Sequence, residues 1–396
     1  MISCNIVDKT FLLLIGVLLF VLVNLMASQV GPLGPAELYG FGRTLLLAEG
    51  LMAIYLVVNL KRLSNIPDLV VIILVWMLWV LSTNINFIFP LELALLYKGL
   101  LEPLLWTFFC LFFYVYIKKN PSGHKAILCL FFGLLLFASY EYFKIYSMSQ
   151  VFADKTAAIN FTYYPLLILP WVLMAKFRLI RYLGILLIGI VVLSSLKRTA
   201  FICFIVSVVM SELINAHFMN KKMRSFLVVF ALCVPVIVYL LYFNTGAVDL
   251  HVLTRFSEAV DDRGSGRLDV YSEVIRLLMN SEWENMLRGH GHNTVIVYSN
   301  MNLSAHNDWL EVVFDYGLPG FLLYGTIHAI LIKKILYLYN NMSIMTGPFA
   351  ASYVMFWVMS LTSHLIIYPT YFVFMSSFWG MIFASTVHIN EYERNC

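Results

Sequence analysis

Charged side chains are scarce in this sequence of 396 residues. Asp, Glu, Lys and Arg together make up 12% of the chain, whereas hydrophobic residues make up 61%. Soluble domains carry about a quarter of their residues as charged side chains. A soluble globular fold is therefore excluded for most of the chain. The formal net charge of +4 is modest, and no pattern in the sequence indicates nucleic-acid binding.

Other features are missing as well. None of the six cysteines lies in the one long polar segment, roughly Asn244 to His306, so no disulfide framework is expected there. Alternating strands of about ten residues, the signature of a membrane β-barrel, are absent. No internal repeat of fixed period is visible, which weakens a transporter interpretation. An all-α fold remains.

Long apolar runs dominate what is present. A membrane helix needs about 20 predominantly apolar residues, and the runs predict a polytopic membrane protein with about twelve spans. We place these spans at Thr10–Val30, Leu38–Leu60, Leu69–Ile88, Leu91–Ile117, Ala126–Tyr146, Phe161–Ala175, Tyr182–Ser195, Thr199–Ala216, Phe226–Phe243, Leu310–Ile332, Pro348–Ile367 and Tyr371–His388.

Basic residues recur in alternate connections. Lys61 and Arg62, the segment from Lys118 to Lys125, the segment from Lys176 to Arg181, the segment from Lys221 to Arg224, and Lys333 with Lys334 all fall on one side. The positive-inside rule makes that side the cytoplasm. Both termini are then cytoplasmic, and the long polar segment faces outward.

The chain accordingly divides into three parts. Residues 1–243 form spans one to nine, residues 244–308 form an extracytoplasmic loop, and residues 309–396 form spans ten to twelve. A loop of this length is unusual unless it is functional or disordered, and its composition is not that of a disordered segment. We expect the chemistry to lie in it.

The stretch from Arg263 to Leu278 predicts an amphipathic helix after a Gly-Ser-Gly turn. Its apolar side is predicted to contain Leu268, Tyr271, Val274, Ile275 and Leu278, and to lie on the membrane surface or over a cavity mouth. Arg263 and Arg267 precede or begin this helix, where unpaired backbone N–H groups also favour an anion. The alternative is that both arginines meet only lipid phosphates or Asp261 and Asp262.

A glycine-punctuated turn, LRGHGHNTV, follows at Leu287–Val295 and contains Arg288. Its His290 and His292 form a His-x-His pair, but no third and fourth ligand is spaced around them as in a usual metal site. We therefore predict no metal.

The run from Ser304 to Leu323, SAHNDWLEVVFDYGLPGFLL, contains the most informative residues. Asn307 and Asp308 are capping residues directly before an apolar run, so a helix is predicted to begin there. His306 would face the extracytoplasmic interface. Its unperturbed pKa lies near neutrality, so it could accept a proton from a hydroxyl group; the alternative is a structural role at the cap. Glu311 and Asp315 at membrane depth favour a polar cavity.

Lys197 and Arg198 interrupt two apolar runs in the segment SSLKRTAF, at the extracytoplasmic side. This position opposes the positive-inside tendency and calls for an anionic partner. A snorkelling pair of side chains is the simpler explanation.

Taken in order, the KRTA step, the loop with its R…GSGR segment, the GHGHN turn and the HNDWLEVVFDYGLPGF run resemble the O-antigen polymerase and O-antigen ligase superfamily. The resemblance implies a bacterial inner-membrane glycosyltransferase that moves a glycan from an undecaprenyl-diphosphate carrier onto an acceptor hydroxyl at the periplasmic face. It implies no cofactor and no divalent metal. The partners it implies are the lipid-linked donor and acceptor within the bilayer, with a chain-length regulator protein as a further candidate.

The same resemblance assigns roles to residues at matching positions. Arg198 and Arg267 would hold the carrier diphosphate and His306 would act as the base. A further set would contact substrate: Arg288, Arg263, Lys197, Asn307, Asp308 and Glu311. We expect a Wzy-type repeat-unit polymerase. A ligase that transfers the glycan to lipid A-core, and a lipid-linked oligosaccharide flippase or other transporter, are the alternatives.

Overall fold

The computed structural model describes residues 6–28, 35–59, 66–84, 101–152, 159–195, 197–218, 267–366 and 368–385. Within these residues 85% are helical and no strand is present, which confirms the all-α fold class. The ninth predicted span, Phe226–Phe243, and the Gly-Ser-Gly turn lie outside the described residues.

Fifteen α-helices are described. They are α1 (Ile6–Ala27), α2 (Pro35–Val58), α3 (Asp68–Thr83), α4 (Glu102–Lys119), α5 (His124–Phe152), α6 (Tyr163–Leu167), α7 (Leu169–Leu173), α8 (Arg178–Ser194), α9 (Arg198–Phe218), α10 (Arg267–Met279), α11 (Trp283–Arg288), α12 (Val295–Tyr298), α13 (Asp308–Asn340), α14 (Thr346–Thr362) and α15 (Pro369–Ser385).

Five of the described helices are long and apolar enough to cross a membrane, by length and composition. They are Ile6–Ala27, Phe41–Val58, Pro121–Met148, Arg198–Phe218 and Asp308–Asn340. The chain is therefore consistent with a membrane protein. The count of twelve spans and their orientation stay predictions.

The sixth predicted span is not one continuous helix. It is divided into α6 and α7, which meet at Ile168. Pro170 lies just after the junction; its ring removes a backbone donor and clashes with the carbonyl four residues earlier in a regular helix. The backbone N–H of Trp171 instead bonds the carbonyl of Ile168 at 3.0 Å.

The centre of the bundle is formed by α4 and α15, whose residues are buried along nearly their whole length. Apolar and aromatic side chains fill the space around them. The indole of Trp171 stacks on Phe131 with ring centroids 3.9 Å apart and donates to the carbonyl of Phe374 at 2.8 Å.

The helix ends define two ends of the bundle. At one end, the site end, α3, α8 and α14 finish and α6, α9, α13 and α15 begin. The side chain of Asn84, just after α3, accepts from the backbone N–H of His292 at 2.7 Å. The side chain of Asp308 accepts from the N–H of Leu365 at 3.1 Å.

Basic residues collect at the opposite end. Lys119 pairs with buried Asp8 at 2.8 Å, and Lys333 pairs with Asp68 at 2.7 Å. Arg181, near the start of α8, lies 4.0 Å from Glu212. The described part of the polar loop and the basic residues Lys119, Arg181 and Lys333 thus lie at opposite ends of the bundle.

The loop has a small apolar core of its own, formed by Val270, Val274, Val295, Ala305 and Phe314. The predicted helix is confirmed as α10, and two residues of its predicted apolar side lie outside this core. Leu268 and Ile275 are exposed by 60% and 43%. Because α10 packs on the first turns of α13 and on its own loop, the buried side is turned toward Val270 and Val274.

Candidate functional site

Three carboxylates on one side of α13 hold the surrounding segments. Asp308, Glu311 and Asp315 occupy positions i, i+3 and i+7, which share a helix face. All three are buried. Each accepts hydrogen bonds from the backbone of a different chain segment.

Asp315 holds the glycine-punctuated turn. Its carboxylate accepts from the N–H groups of Asn293 at 2.6 Å and Thr294 at 3.1 Å, and from the Thr294 hydroxyl at 3.0 Å. A buried acceptor that loses its donors is costly. The turn is therefore fixed to α13.

Glu311 and Asp308 hold the two segments that carry histidines near the helix start. One Glu311 oxygen accepts from the N–H of Ala305, directly before His306. The Asp308 carboxylate accepts from the N–H groups of Leu365 and Ile366, directly after His364. These two residues were predicted to contact substrate, and the structure directs their carboxylates to the protein backbone.

Two glycines allow the turn to approach α13 closely. Gly317 has φ 67° and ψ −172° and breaks α13 before Pro319. A Cβ at Gly317 would lie 2.4 Å from the Leu287 carbonyl oxygen, and a Cβ at Gly289 would lie 2.3 Å from that of Asp315. Only glycine readily adopts this backbone region. The GHG and YGLPG motifs therefore form one backbone contact.

Both histidines of the His-x-His pair pack against α13. The His290 ring stacks on Phe314 at 4.1 Å, and its Nδ1 lies 3.0 Å from the Phe314 carbonyl oxygen. His292 Nδ1 lies 2.6 Å from the Tyr316 hydroxyl. No group of three or more His, Cys, Asp or Glu side chains that could hold a metal is found in the described residues.

His306 lies where the loop joins α13. Its backbone has φ 53°, in the left-handed region, and its ring centroid is 4.1 Å from that of His364. Asn307 is the N-cap of α13, as predicted, since its side chain accepts from the N–H groups of Trp309 and Leu310 at 3.0 and 3.2 Å. The cap fixes the direction in which the chain leaves His306.

Two cations face the histidine pair. Burial, Arg267 and then Lys197 lower the pKa of His306 to about 4. Burial, followed by His306, Arg267 and Lys197, lowers the pKa of His364 well below its ordinary value. Protonating a group beside fixed positive charges is unfavourable. Both imidazoles are thus neutral near pH 7, and the cations are the charges of the site.

These residues come from distant parts of the chain. Lys197 lies between α8 and α9, and Arg267 begins α10. The Tyr271 hydroxyl of α10 lies within hydrogen-bond distance of the carbonyl oxygens of Leu361 (3.1 Å) and His306 (3.4 Å). The structure thus brings Lys197, Arg267 and His306 together at the site end.

The other predicted residues have different surroundings. Arg198 is the first residue of α9, next to Lys197 and half-buried. The Arg288 guanidinium is exposed by 77% and lies 3.3 Å from Glu284 on α11. In the part of the chain that the structure describes, no contact joins Arg288 to His306. Arg263 lies outside the described residues.

Sequence reasoning missed His364 and Tyr163. His364 was placed inside an apolar run, although it lies between α14 and α15 at the site end. Tyr163, at the start of α6, interacts with Ser363 and Thr199 and with the Arg267 charge. The sequence did contain one signal for them, because the connections next to these residues lie on the same side of the predicted bundle as the polar loop.

This arrangement can bind an anion beside a neutral proton acceptor. Guanidinium and ammonium groups suit phosphate oxygens, and each nearby carboxyl group accepts from the backbone through at least one oxygen. A neutral imidazole can accept a proton from a hydroxyl group. The structure thus defines an all-α membrane protein with a cationic, histidine-containing site at one end of its helices.

The segment that carries most of this site matches a known family. Residues 183–325 match the family model described as O-antigen ligase (Wzy_C). This match is consistent with the O-antigen polymerase and ligase superfamily and confirms the resemblance drawn from the sequence. A search of the curated proteins found no match.

Proposed function

We propose that this protein is a polysaccharide repeat-unit polymerase, a glycosyltransferase that moves a growing glycan from undecaprenyl diphosphate onto an incoming lipid-linked repeat unit. The observation that carries the proposal is the convergence of Lys197, Arg267 and His306, from three chain segments, at one end of the bundle. The family match to residues 183–325 supports the class of reaction.

The cations serve the leaving group in this proposal. Arg267, with Lys197 and Arg198, binds the diphosphate and neutralises the charge that develops as the bond from the anomeric carbon to the phosphate oxygen breaks. Donors aimed at developing charge in a dry site stabilise a transition state strongly. Side-chain cations then take the role that a divalent metal has in other glycosyltransferases.

His306 serves the acceptor. The acceptor hydroxyl oxygen forms the new bond to the anomeric carbon, its proton goes to His306, and the bonding electron pair departs with the diphosphate. A neutral imidazole has the lone pair that this step requires. Burial, Arg267 and Lys197 lower the pKa of His306 to about 4 and keep it in that form.

The remaining predicted residues fall into two groups according to their contacts. Asn307, Asp308 and Glu311 hold backbone N–H groups, so we assign them the positioning of His306 and of the segment after His364. Arg288 and Arg263 remain candidates for contact with the glycan.

We place the site at the periplasmic face of the bacterial inner membrane. The ion pairs of Lys119, Arg181 and Lys333 lie at the opposite end of the bundle from His306, and basic residues favour the cytoplasmic side. Both termini are then cytoplasmic. A chain-length regulator protein is a further candidate partner.

The O-antigen ligase is the second candidate, because the matched family model is described by that activity. The purified full-length chain in lipid nanodiscs, given a lipid-linked donor, separates the two. Extension of a lipid-linked repeat unit supports the polymerase, and transfer to lipid A-core supports the ligase.

A lipid-linked oligosaccharide flippase is the rival from another class. It would move the same lipid across the membrane of a proteoliposome without forming a glycosidic bond. Such a transporter needs charged groups along a path through the bilayer. Transport of the intact lipid with no bond formation to either acceptor would reject the proposed function.

A further inference from the structure

His364 lies outside the segment that matches the family model. It is in the connection between α14 and α15, and only 6% of it is exposed. The Asp308 carboxylate holds the N–H groups of the next two residues, Leu365 and Ile366. The position of the His364 ring is therefore fixed to the start of α13, where His306 lies two residues before Asp308.

The contacts of the His364 ring lead to the loop exit. Its centroid is 4.1 Å from that of His306, with an angle of 38° between the rings. Its Nε2 lies 3.4 Å from the Ser304 hydroxyl oxygen. Its Nδ1 is buried and has no hydrogen-bond partner among the described residues. A buried polar atom without a hydrogen-bond partner destabilises the folded protein, so the presence of histidine at this position requires an explanation.

Polar and charged groups from several elements face His306. Lys197 comes from the connection before α9, Arg267 and the Tyr271 hydroxyl come from α10, and His364 comes from the connection before α15. On its own element, Asp308 and Glu311 direct their carboxylates to backbone N–H groups. His364 is the neighbour in ring-to-ring contact.

We infer that His364 is a positioning residue of this site, whose ring packs against His306, excludes water from one of its faces and holds its imidazole beside Arg267 and Lys197. The catalytic part of this inference rests on the proposed function, in which His306 is the base. Burial is the first cause of the lowered pKa of His306, and the His364 ring supplies part of that burial.

The test compares two substitutions at His364 with matched substitutions at another stacked histidine. H364A removes the ring, whereas H364F keeps a ring and removes both nitrogens. His328 is the control, because it is 5% exposed and stacks on Trp309 and Phe356 at 4.8 and 4.4 Å. H328A and H328F therefore make the same changes inside α13.

Two quantities are measured on the full chain in nanodiscs. The first is the pKa of His306, measured by an NMR titration of protein with labelled histidines. The His306 signal is assigned as the one that is lost in H306Q. The second is kcat and KM for glycan transfer. We expect H364A to raise the pKa of His306 by about a unit or more as water enters, and to lower kcat by on the order of 10- to 100-fold with KM within about twofold.

H364F should restore the low pKa of His306 and most of the lost kcat, whereas H328A and H328F should leave the His306 titration unchanged. The titration is also measured if H364A is inactive, and H364S replaces H364A if that variant does not fold. An unchanged His306 titration in H364A or H364S overturns the inference, as does an equal kcat loss in H364A and H364F. Absence of transfer by the wild-type chain rejects the proposed function, while the titration still tests the ring contact.

Discussion

Replacing Gly317 by alanine should release the glycine-punctuated turn from α13. The backbone of Gly317 has φ 67° and ψ −172°, a combination that is nearly restricted to glycine. An added Cβ would lie 2.4 Å from the Leu287 carbonyl oxygen and 2.9 Å from the Gly289 nitrogen. Both atoms belong to the backbone, so no flexible side chain can move aside.

The expected cost follows from these two effects. A side chain held in a sparsely populated backbone region costs about 1–3 kcal/mol, and overpacking a closely packed contact adds about 1–3 kcal/mol. Gly317→Ala should therefore destabilise the folded protein by about 2–6 kcal/mol, unless the turn detaches. Detachment would expose Asp315 and its backbone partners and would lower activity instead.

The assay is thermal unfolding in detergent together with glycan transfer. Gly325→Ala is the matched control in the same helix, since the nearest atom to its Cβ would be Trp309 Cζ3 at 3.9 Å. Alanine is favoured over glycine in a helix interior by roughly 0.5–1 kcal/mol, so G325A should unfold at or above the wild-type temperature. Wild-type stability and wild-type transfer in G317A would refute the described contact between the two motifs.

Three further predictions concern the site itself. Burial, Arg267 and Lys197 lower the pKa of His306 to about 4, so its neutral form is lost only as pH falls through that value. The acid limb of the pH profile of kcat/KM should therefore lie near pH 4, and an acid limb at about pH 6.5 would contradict this. Arg288→Ala should change the free energy of unfolding by less than about 1 kcal/mol, since its ion pair with Glu284 is exposed and exposed pairs contribute little; a larger loss of stability would be inconsistent with its exposure. Asp315→Asn should lower the free energy of unfolding by about 1–3 kcal/mol, because an amide nitrogen replaces one oxygen that accepts from the turn and leaves its donor unsatisfied; unchanged denaturation would show that the turn is held otherwise.

Local signals in the sequence predicted the parts of the site that depend on neighbouring residues. The Asn307 and Asp308 pair before an apolar run indicated a helix start, and Asn307 is the N-cap of α13. The sequence after Arg267 predicted a helix that α10 confirms. Such features depend on hydrogen bonds within a few residues, which a sequence pattern can express.

The parts that depend on tertiary packing could not be predicted. The partner of Asp308 is the backbone of Leu365, 57 residues later, and no local pattern indicates this contact. His364 appeared as one polar residue within an apolar run. Which side of α10 packs on the loop core also depends on such contacts, since Val270 belongs to that core and Leu268 is exposed.

The most direct test of the central claim is glycan transfer by three purified variants of equal fold and expression. Arg267→Ala and His306→Ala remove groups that the account assigns to the diphosphate and to the acceptor proton. Arg276→Ala is the control, since Arg276 is on the same helix and pairs with Glu273 at 2.8 Å at the surface. We expect a loss of glycan transfer of at least about 100-fold in R267A and H306A and wild-type transfer in R276A. Wild-type amounts of polymer from R267A or H306A would contradict the assignment of this site.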